Sequence, residues 1–132
     1  MGHRESIDID LFTDADYGSI DFSILETKLH EIFPYVDMPS IDLVGIGKSY
    51  FVGNDVNELV KLDLFYTDPF VFPCILEQVI RFSSIEEIVA MKFEVIANGG
   101  RKKDFWDIHE LLDTFTLNEM IGFYNKRYPY GY

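Results

Sequence analysis

An α+β fold, with a mostly antiparallel or mixed β-sheet followed by a C-terminal group of helices, is the architecture this sequence predicts. Three observations predict it. Period-two alternation marks the first half of the chain, as in Ile7–Phe12 and Lys61–Phe65. Apolar residues at helical spacing mark the last third. Strands come first and three helices last, an order that favours a mostly antiparallel or mixed sheet over repeated βαβ units.

The first strand turns Ile7, Ile9 and Leu11 to one side and Asp8, Asp10 and Phe12 to the other. Two carboxylates two residues apart on one face repel each other, so a cation, a solvated edge or a basic partner has to compensate. Thr13–Ser19 is rich in Asp, Gly, Ser and Thr and reads as a loop. A helix over about Ser23–Phe33 follows, with Ile24, Leu25, Leu29, Ile32 and Phe33 at helical spacing and Pro34 as its stop. Ser40–Ile46 then reads as a strand, and Gly45-Ile46-Gly47-Lys48 as a turn into a second strand, Ser49–Val52. That glycine pair is too short and wrongly placed for a phosphate-binding fingerprint. Gly53-Asn54-Asp55 turns again into Glu58–Tyr66, where Leu62 and Leu64 alternate with Lys61, Asp63 and Phe65 and leave Asp63 on the polar side.

Thr67-Asp68-Pro69 breaks this strand, and Phe70–Arg81 reads as irregular or short-strand chain interrupted by Pro73. Phe82-Ser83-Ser84-Ile85-Glu86-Glu87 reads as a helix start, with a serine cap and acids in the first turn. The helix runs to about Asn98 and stops at Gly99-Gly100. Helices over about Lys102–Thr114 and Leu117–Lys126 complete the chain, and Tyr128–Tyr132 reads as a frayed tail.

At 132 residues the chain fits a single domain, strand-rich over 1–81 and helical over 82–127. A formal net charge of −12 argues against a whole-surface nucleic-acid or membrane binder. Six of the eleven Lys and Arg lie from Lys92 onward, however, which leaves room for a local anion site. Cys74 is the only cysteine, so neither an intrachain disulfide nor a cysteine-based zinc site is open, which suits a reducing cytoplasm. Beside Pro73 it reads as a small buried hydrophobe. No apolar run is long enough to span a bilayer, so no membrane partner is expected.

Several residues break their local pattern. Ile85, Ile88, Val89, Phe93 and Ile96 form one helical stripe with Lys92 near its middle. On the next helix Phe105, Ile108, Leu111, Leu112 and Phe115 form the stripe, with Asp104 inside it and Asp107 at its border. Two readings stand side by side: a structural ion pair of Lys92 with Asp104 or Asp107, or charge aimed inward for chemistry. Asp8 and Asp10 carry the same ambiguity, as a solvated edge or as metal ligands. Asp63, a third acid on the polar face of a separate strand, has the spacing to complete a carboxylate cluster for phosphoryl or nucleotidyl transfer. His3, His30 and His109 share no spacing, and His30 and His109 read as helix-surface residues.

In order, Gly2-His3-Arg4-x-Ser6-x-Asp8-Ile9-Asp10-Leu11-Phe12, Lys61-x-Asp63-Leu64-Phe65, Ile88-Val89-Ala90-Met91-Lys92 and Arg101-Lys102-Lys103-Asp104-Phe105-Trp106-Asp107-Ile108-x-x-Leu111 resemble the AbiEii/AbiGii toxin-like nucleotidyltransferases. These are similar to minimal nucleotidyltransferases of the polymerase-beta superfamily, and some act as toxins of abortive-infection toxin–antitoxin systems that transfer a nucleotide to tRNA. The resemblance implies that Asp8 and Asp10 hold Mg2+ or Mn2+ and the phosphates of a nucleoside triphosphate. It implies that Asp63 completes the metal set or acts as base on the attacking hydroxyl, and that Lys92 reaches toward the triphosphate. Asp104 and Asp107 would orient that lysine, and Arg4 and Ser6 would contact phosphate. A cognate antitoxin and a tRNA acceptor are the partners it implies.

One departure stands out: the family's Gly-Gly-Thr-type phosphate-binding segment should precede Gly2, so the chain reads as truncated at its N-terminus relative to the family, either because its true start lies upstream or as a short form impaired in nucleotide grip. The alternative expectation is a non-catalytic module that keeps the fold and works through a partner or a homodimer contact. A metal-dependent phosphohydrolase using the same acids is a third.

Overall fold

A computed structural model describes residues 2–6, 8–38 and 46–130. In chain order its elements are β1 (Asp8–Thr13), α1 (Phe22–Ile32), β2 (Tyr35–Asp37), β3 (Gly47–Gly53), β4 (Leu59–Tyr66), β5 (Ile75–Glu77), β6 (Ile80–Phe82), α2 (Ile85–Ala97), α3 (Lys102–Leu111) and α4 (Leu117–Arg127). The fold is α+β, as expected, and its contacts gather into two units, Met1–Pro69 and Phe70–Tyr132.

The first unit is built on a four-stranded mixed sheet of order β1-β4-β3-β2. β1 runs parallel to β4, while β3 is antiparallel to both β4 and β2. One sheet face buries Tyr50, Val52 and Tyr66. Helix α1 holds that face through Glu26, whose Oε1 accepts from the Tyr50 hydroxyl at 2.9 Å and from Lys48 Nζ at 3.2 Å. Phe22 meets the Tyr66 ring edge-on at 6.2 Å. Asp21 caps α1 by accepting from the Ser23 N–H at 3.0 Å, so the helix begins one residue before the apolar spacing indicates.

β2 was not legible in the sequence: after Pro34 ends the helix, the chain turns into a short edge strand that pairs Val36 with Val52. Of the strand expected over Ser40–Ile46, positions 40–45 lie outside the described residues, and Ile46 itself lies in a turn. The expected turn at Gly45–Lys48 is corrected at its end, since Gly47 and Lys48 already belong to β3. A Cβ at Gly47 would sit 2.0 Å from the Leu64 carbonyl oxygen, so only glycine lets the strand start this close to β4. Among the described residues β1 is a sheet edge, and Ile9 and Leu11, expected to be the covered side, are each 51% exposed. A strand paired on one side only has less to bury against.

In the second unit Val89, Leu111 and Met120 form the core, with Phe93, Ile108, Phe115 and Phe123 packed around them. Phe123 stands edge-on to both Phe115 (5.2 Å) and Phe72 (5.6 Å). Ser84 caps α2 by accepting from the Glu87 N–H, and Thr116 with Glu119 forms a reciprocal capping box on α4. The stretch 70–81 resolves into the β5–β6 hairpin, and Phe82 ends β6 instead of opening a helix. This hairpin is exposed along its length, and Cys74 just before it is exposed too, which corrects the expectation of a buried thiol. α3 stops at Leu111, short of Thr114, and Phe105 and Leu112 are exposed. The inward side of α3 keeps Ile108 and Leu111 and buries Asp104 and Asp107, so that Asp107 moves from the border to full burial. Among the described residues no helix is long and apolar enough to cross a membrane.

Candidate functional site

The parallel pairing of β1 with β4 sets Asp8 opposite Lys61 and Asp10 opposite Asp63. Register partners in a sheet project from the same face, with neighbouring strands about 5 Å apart. All three acids singled out in the sequence therefore share one face, together with Lys61 and, from β3, Ser49, which pairs with Asp63. Asp63 is only 5% exposed, and both its oxygens are engaged. Oδ1 accepts from the Ser49 hydroxyl at 2.5 Å, and Oδ2 faces Lys61 Nζ at 3.2 Å. Asp8 is half-buried and Asp10 exposed at the sheet edge. Ahead of β1, the Ser6 hydroxyl accepts from the Asp8 N–H at 3.4 Å, and Arg4 Nη1 reaches the Glu5 carbonyl at 3.5 Å.

These donors suit a hard divalent cation, since carboxylate oxygen is the ligand Mg2+ and Mn2+ prefer. Among the described residues no group of three His, Cys, Asp or Glu side chains is gathered closely enough to hold a metal by itself. Mg2+ is commonly held by one or two carboxylates together with substrate phosphates and waters.

In the second unit Lys92 lies between two buried acids of α3. Its ammonium is 3.2 Å from Asp104 Oδ1 and 2.7 Å from Asp107 Oδ2, and the two acids are 2% and 1% exposed. Helical spacing had brought the three residues into view, and here they meet; Lys92 bridges both acids, not one. Asp104 also accepts from the Arg101 N–H at 3.0 Å, which closes the start of α3. Burial pushes the Asp104 carboxyl up, but the Arg101 N–H, the hydrogen bond and charge of Lys92 and the charge of Arg101 outweigh it and hold the group below its ordinary 3.8. A depressed acid adds stability that is present above the unfolded value and lost as the pH falls through the folded one. Asp104→Asn should therefore flatten the loss of stability below about pH 4. Urea denaturation followed by the single Trp106 at several pH values measures this.

Sequence reasoning missed a second charged group, formed by Glu87 and Arg127. Glu87 is fully buried and Arg127 8% exposed, and Arg127 Nη1 donates to Glu87 Oε1. Glu87 Oε2 also accepts from the Phe72 N–H at 2.8 Å and the Val71 N–H at 3.2 Å. Both ends had a local explanation, as an acid in a first helical turn and a base in a last one. The pairing across 40 positions leaves no local trace. Ser49 and Lys61 were also not assigned a role, and the signal that finds them is strand register, not spacing.

Compared with known protein families, residues 1–127 match the family described as nucleotidyl transferase AbiEii toxin, type IV TA system. No curated protein sequence matches the chain. With the family match running from β1 through α4, over the three-acid sheet face and the Lys92–Asp104–Asp107 cluster, the chain belongs to the AbiEii nucleotidyl transferase toxin family.

Proposed function

We propose that this chain is a Mg2+- or Mn2+-dependent nucleotidyltransferase that moves a nucleoside monophosphate from a nucleoside triphosphate to an acceptor such as tRNA, as the toxin of a pair with a cognate antitoxin. The observation that carries the reading is the β1–β4 register, which sets Asp10 beside Asp63 with Asp8 on the same face. Asp8, Asp10 and Asp63 would hold the metal, and when bound it would neutralise phosphate charge and favour the attack of an acceptor hydroxyl. Ser49 fixes the orientation of Asp63 through its hydroxyl. Asp63 is shielded from water, so what it holds is poorly screened by solvent. The family resemblance gives Lys92 a part in handling the triphosphate, and within its own unit Asp104 and Asp107 keep its ammonium fixed. Ser6 and Arg4, beside the start of β1, are the proposed phosphate contacts.

The test is transfer of label from each of the four α-labelled nucleoside triphosphates to bulk tRNA, with Mg2+, Mn2+ or a chelator. Label is expected in the RNA in a metal-dependent way, and Asp10→Asn should reduce it by at least about a hundredfold. Absence of label with every nucleotide, from a folded chain that binds metal, would overturn the reading; free phosphate without label in RNA would point to hydrolysis instead.

The half-exposed Ile9 and Leu11 on the β1 edge favour a second reading, a module that works through a homodimer or another partner at this edge. Sedimentation of the wild type and of Leu11→Lys separates it: a dimer that the substitution dissolves supports it, and a concentration-independent monomer sinks it.

A further inference from the structure

We propose that Lys61 is the built-in counter-ion of the carboxylate face, and that it gives up Asp63 when a divalent metal ion binds there. The inference rests on the metal-dependent reading above. Three acids on one sheet face are a liability in a metal-free chain, because Asp8 and Asp10 are two residues apart and Asp10 stands directly opposite Asp63. Something positive has to lie among them while no metal does. Lys61 supplies such a charge at Asp63: it is the register partner of Asp8, it lies two residues from Asp63 on the same face, and its Nζ is 3.2 Å from Asp63 Oδ2.

The two sides of Asp63 are unlike. Ser49 holds Oδ1 with a short 2.5 Å bond from a side chain that has one rotatable carbon and little freedom to leave. Lys61 holds Oδ2 at 3.2 Å from the end of a four-carbon stem whose side chain is 35% exposed. An ammonium of that kind can swing to solvent once a metal ion takes its place on Oδ2, because the buried Asp63 charge is then still compensated. Ser49 thus acts as the fixed hinge of Asp63 and Lys61 as its removable cover. Oδ2 is the oxygen left for a metal, and the ammonium competes for it.

Competition has a definite sign. Removing the ammonium should tighten the binding of a metal ion while weakening the metal-free chain, whereas a lysine that only supports the fold would weaken the chain under both conditions. The experiment titrates Mn2+ alone into the full chain, with free Mn2+ read by electron paramagnetic resonance. Lys61→Met is expected to bind Mn2+ about threefold to tenfold more tightly than wild type. Lys61→Arg, which keeps the charge, should stay near wild type, and Asp63→Asn should bind more weakly. In thermal unfolding, Lys61→Met should melt below wild type with a chelator present, and the gap should close or reverse at saturating Mn2+. Lys61→Gln, which can still donate to Asp63, serves with the same expectation should the methionine variant not fold. An affinity in Lys61→Met equal to or weaker than wild type overturns the role of Lys61 and leaves the metal site standing. No Mn2+ bound by any variant, wild type included, overturns the metal site and this inference with it.

Discussion

Arg127→Met is expected to lower the stability of the folded chain by about 3–5 kcal/mol, a large share of the 5–15 kcal/mol by which native domains are typically stable. The cost comes less from losing an attraction than from what stays behind. Glu87 is fully buried under the second unit's helices, and without the guanidinium its charge keeps only the Val71 and Phe72 N–H groups. The arginine also lies over the Phe70 ring at 5.3 Å and the Tyr128 ring at 5.5 Å, so its truncation removes packing as well. Glu87→Gln/Arg127→Met should recover part of the loss, because a neutral amide oxygen still accepts from Phe72 while no charge is stranded. Glu87→Leu/Arg127→Met should recover less, since it takes the carboxylate acceptor away from the Val71 and Phe72 N–H groups. Urea unfolding followed by Trp106 fluorescence gives the four values of each cycle. A cost below about 1 kcal/mol for Arg127→Met would place the pair among ion pairs of no structural weight.

That buried pair marks where reading the sequence stops. Period-two alternation brought Asp8 and Asp10 onto one face of a strand, because a strand's own geometry decides it. Asp63 could be placed on the polar side of β4 for the same reason, but its position beside Asp10 depends on β1 pairing in parallel with a strand some fifty residues later. No local pattern encodes that register, so Lys61 and Ser49 went without a role. Helical projection found Lys92 with Asp104 and Asp107, since Lys92 lies near the middle of one apolar stripe, Asp104 inside the next and Asp107 at its border. Ile108, Leu111 and Phe115 of the expected α3 stripe do meet the core, but Phe105 and Leu112 are exposed, and Asp104 and Asp107, whose charges Lys92 compensates, take the buried places. Cys74 reads as a buried hydrophobe from its place beside Pro73, yet it leads into a two-stranded hairpin that is exposed on all its residues.

Lys92→Met carries the other large effect, and it separates a structural lysine from a catalytic one. The substitution leaves Asp107 without the ammonium 2.7 Å away and strips Asp104 of one of its cations, with both acids nearly sealed from water. A loss of about 3–5 kcal/mol is expected on that ground alone. Low transfer activity in this variant would therefore say little, because an unfolded chain is inactive for any reason. The informative variant is Lys92→Met/Asp107→Asn, which removes the buried charge that lies closest to the lost ammonium. It should regain a good part of the stability, while Arg101 continues to hold Asp104 at 3.0 Å through its backbone and 3.3 Å through Nε. With the fold restored, nucleotide transfer should stay at least about a hundredfold below wild type where the ammonium stabilises charge on the reacting phosphates. Return of transfer along with stability would make Lys92 a structural ion-pair residue, and its inward position would then be explained by Asp104 and Asp107 alone.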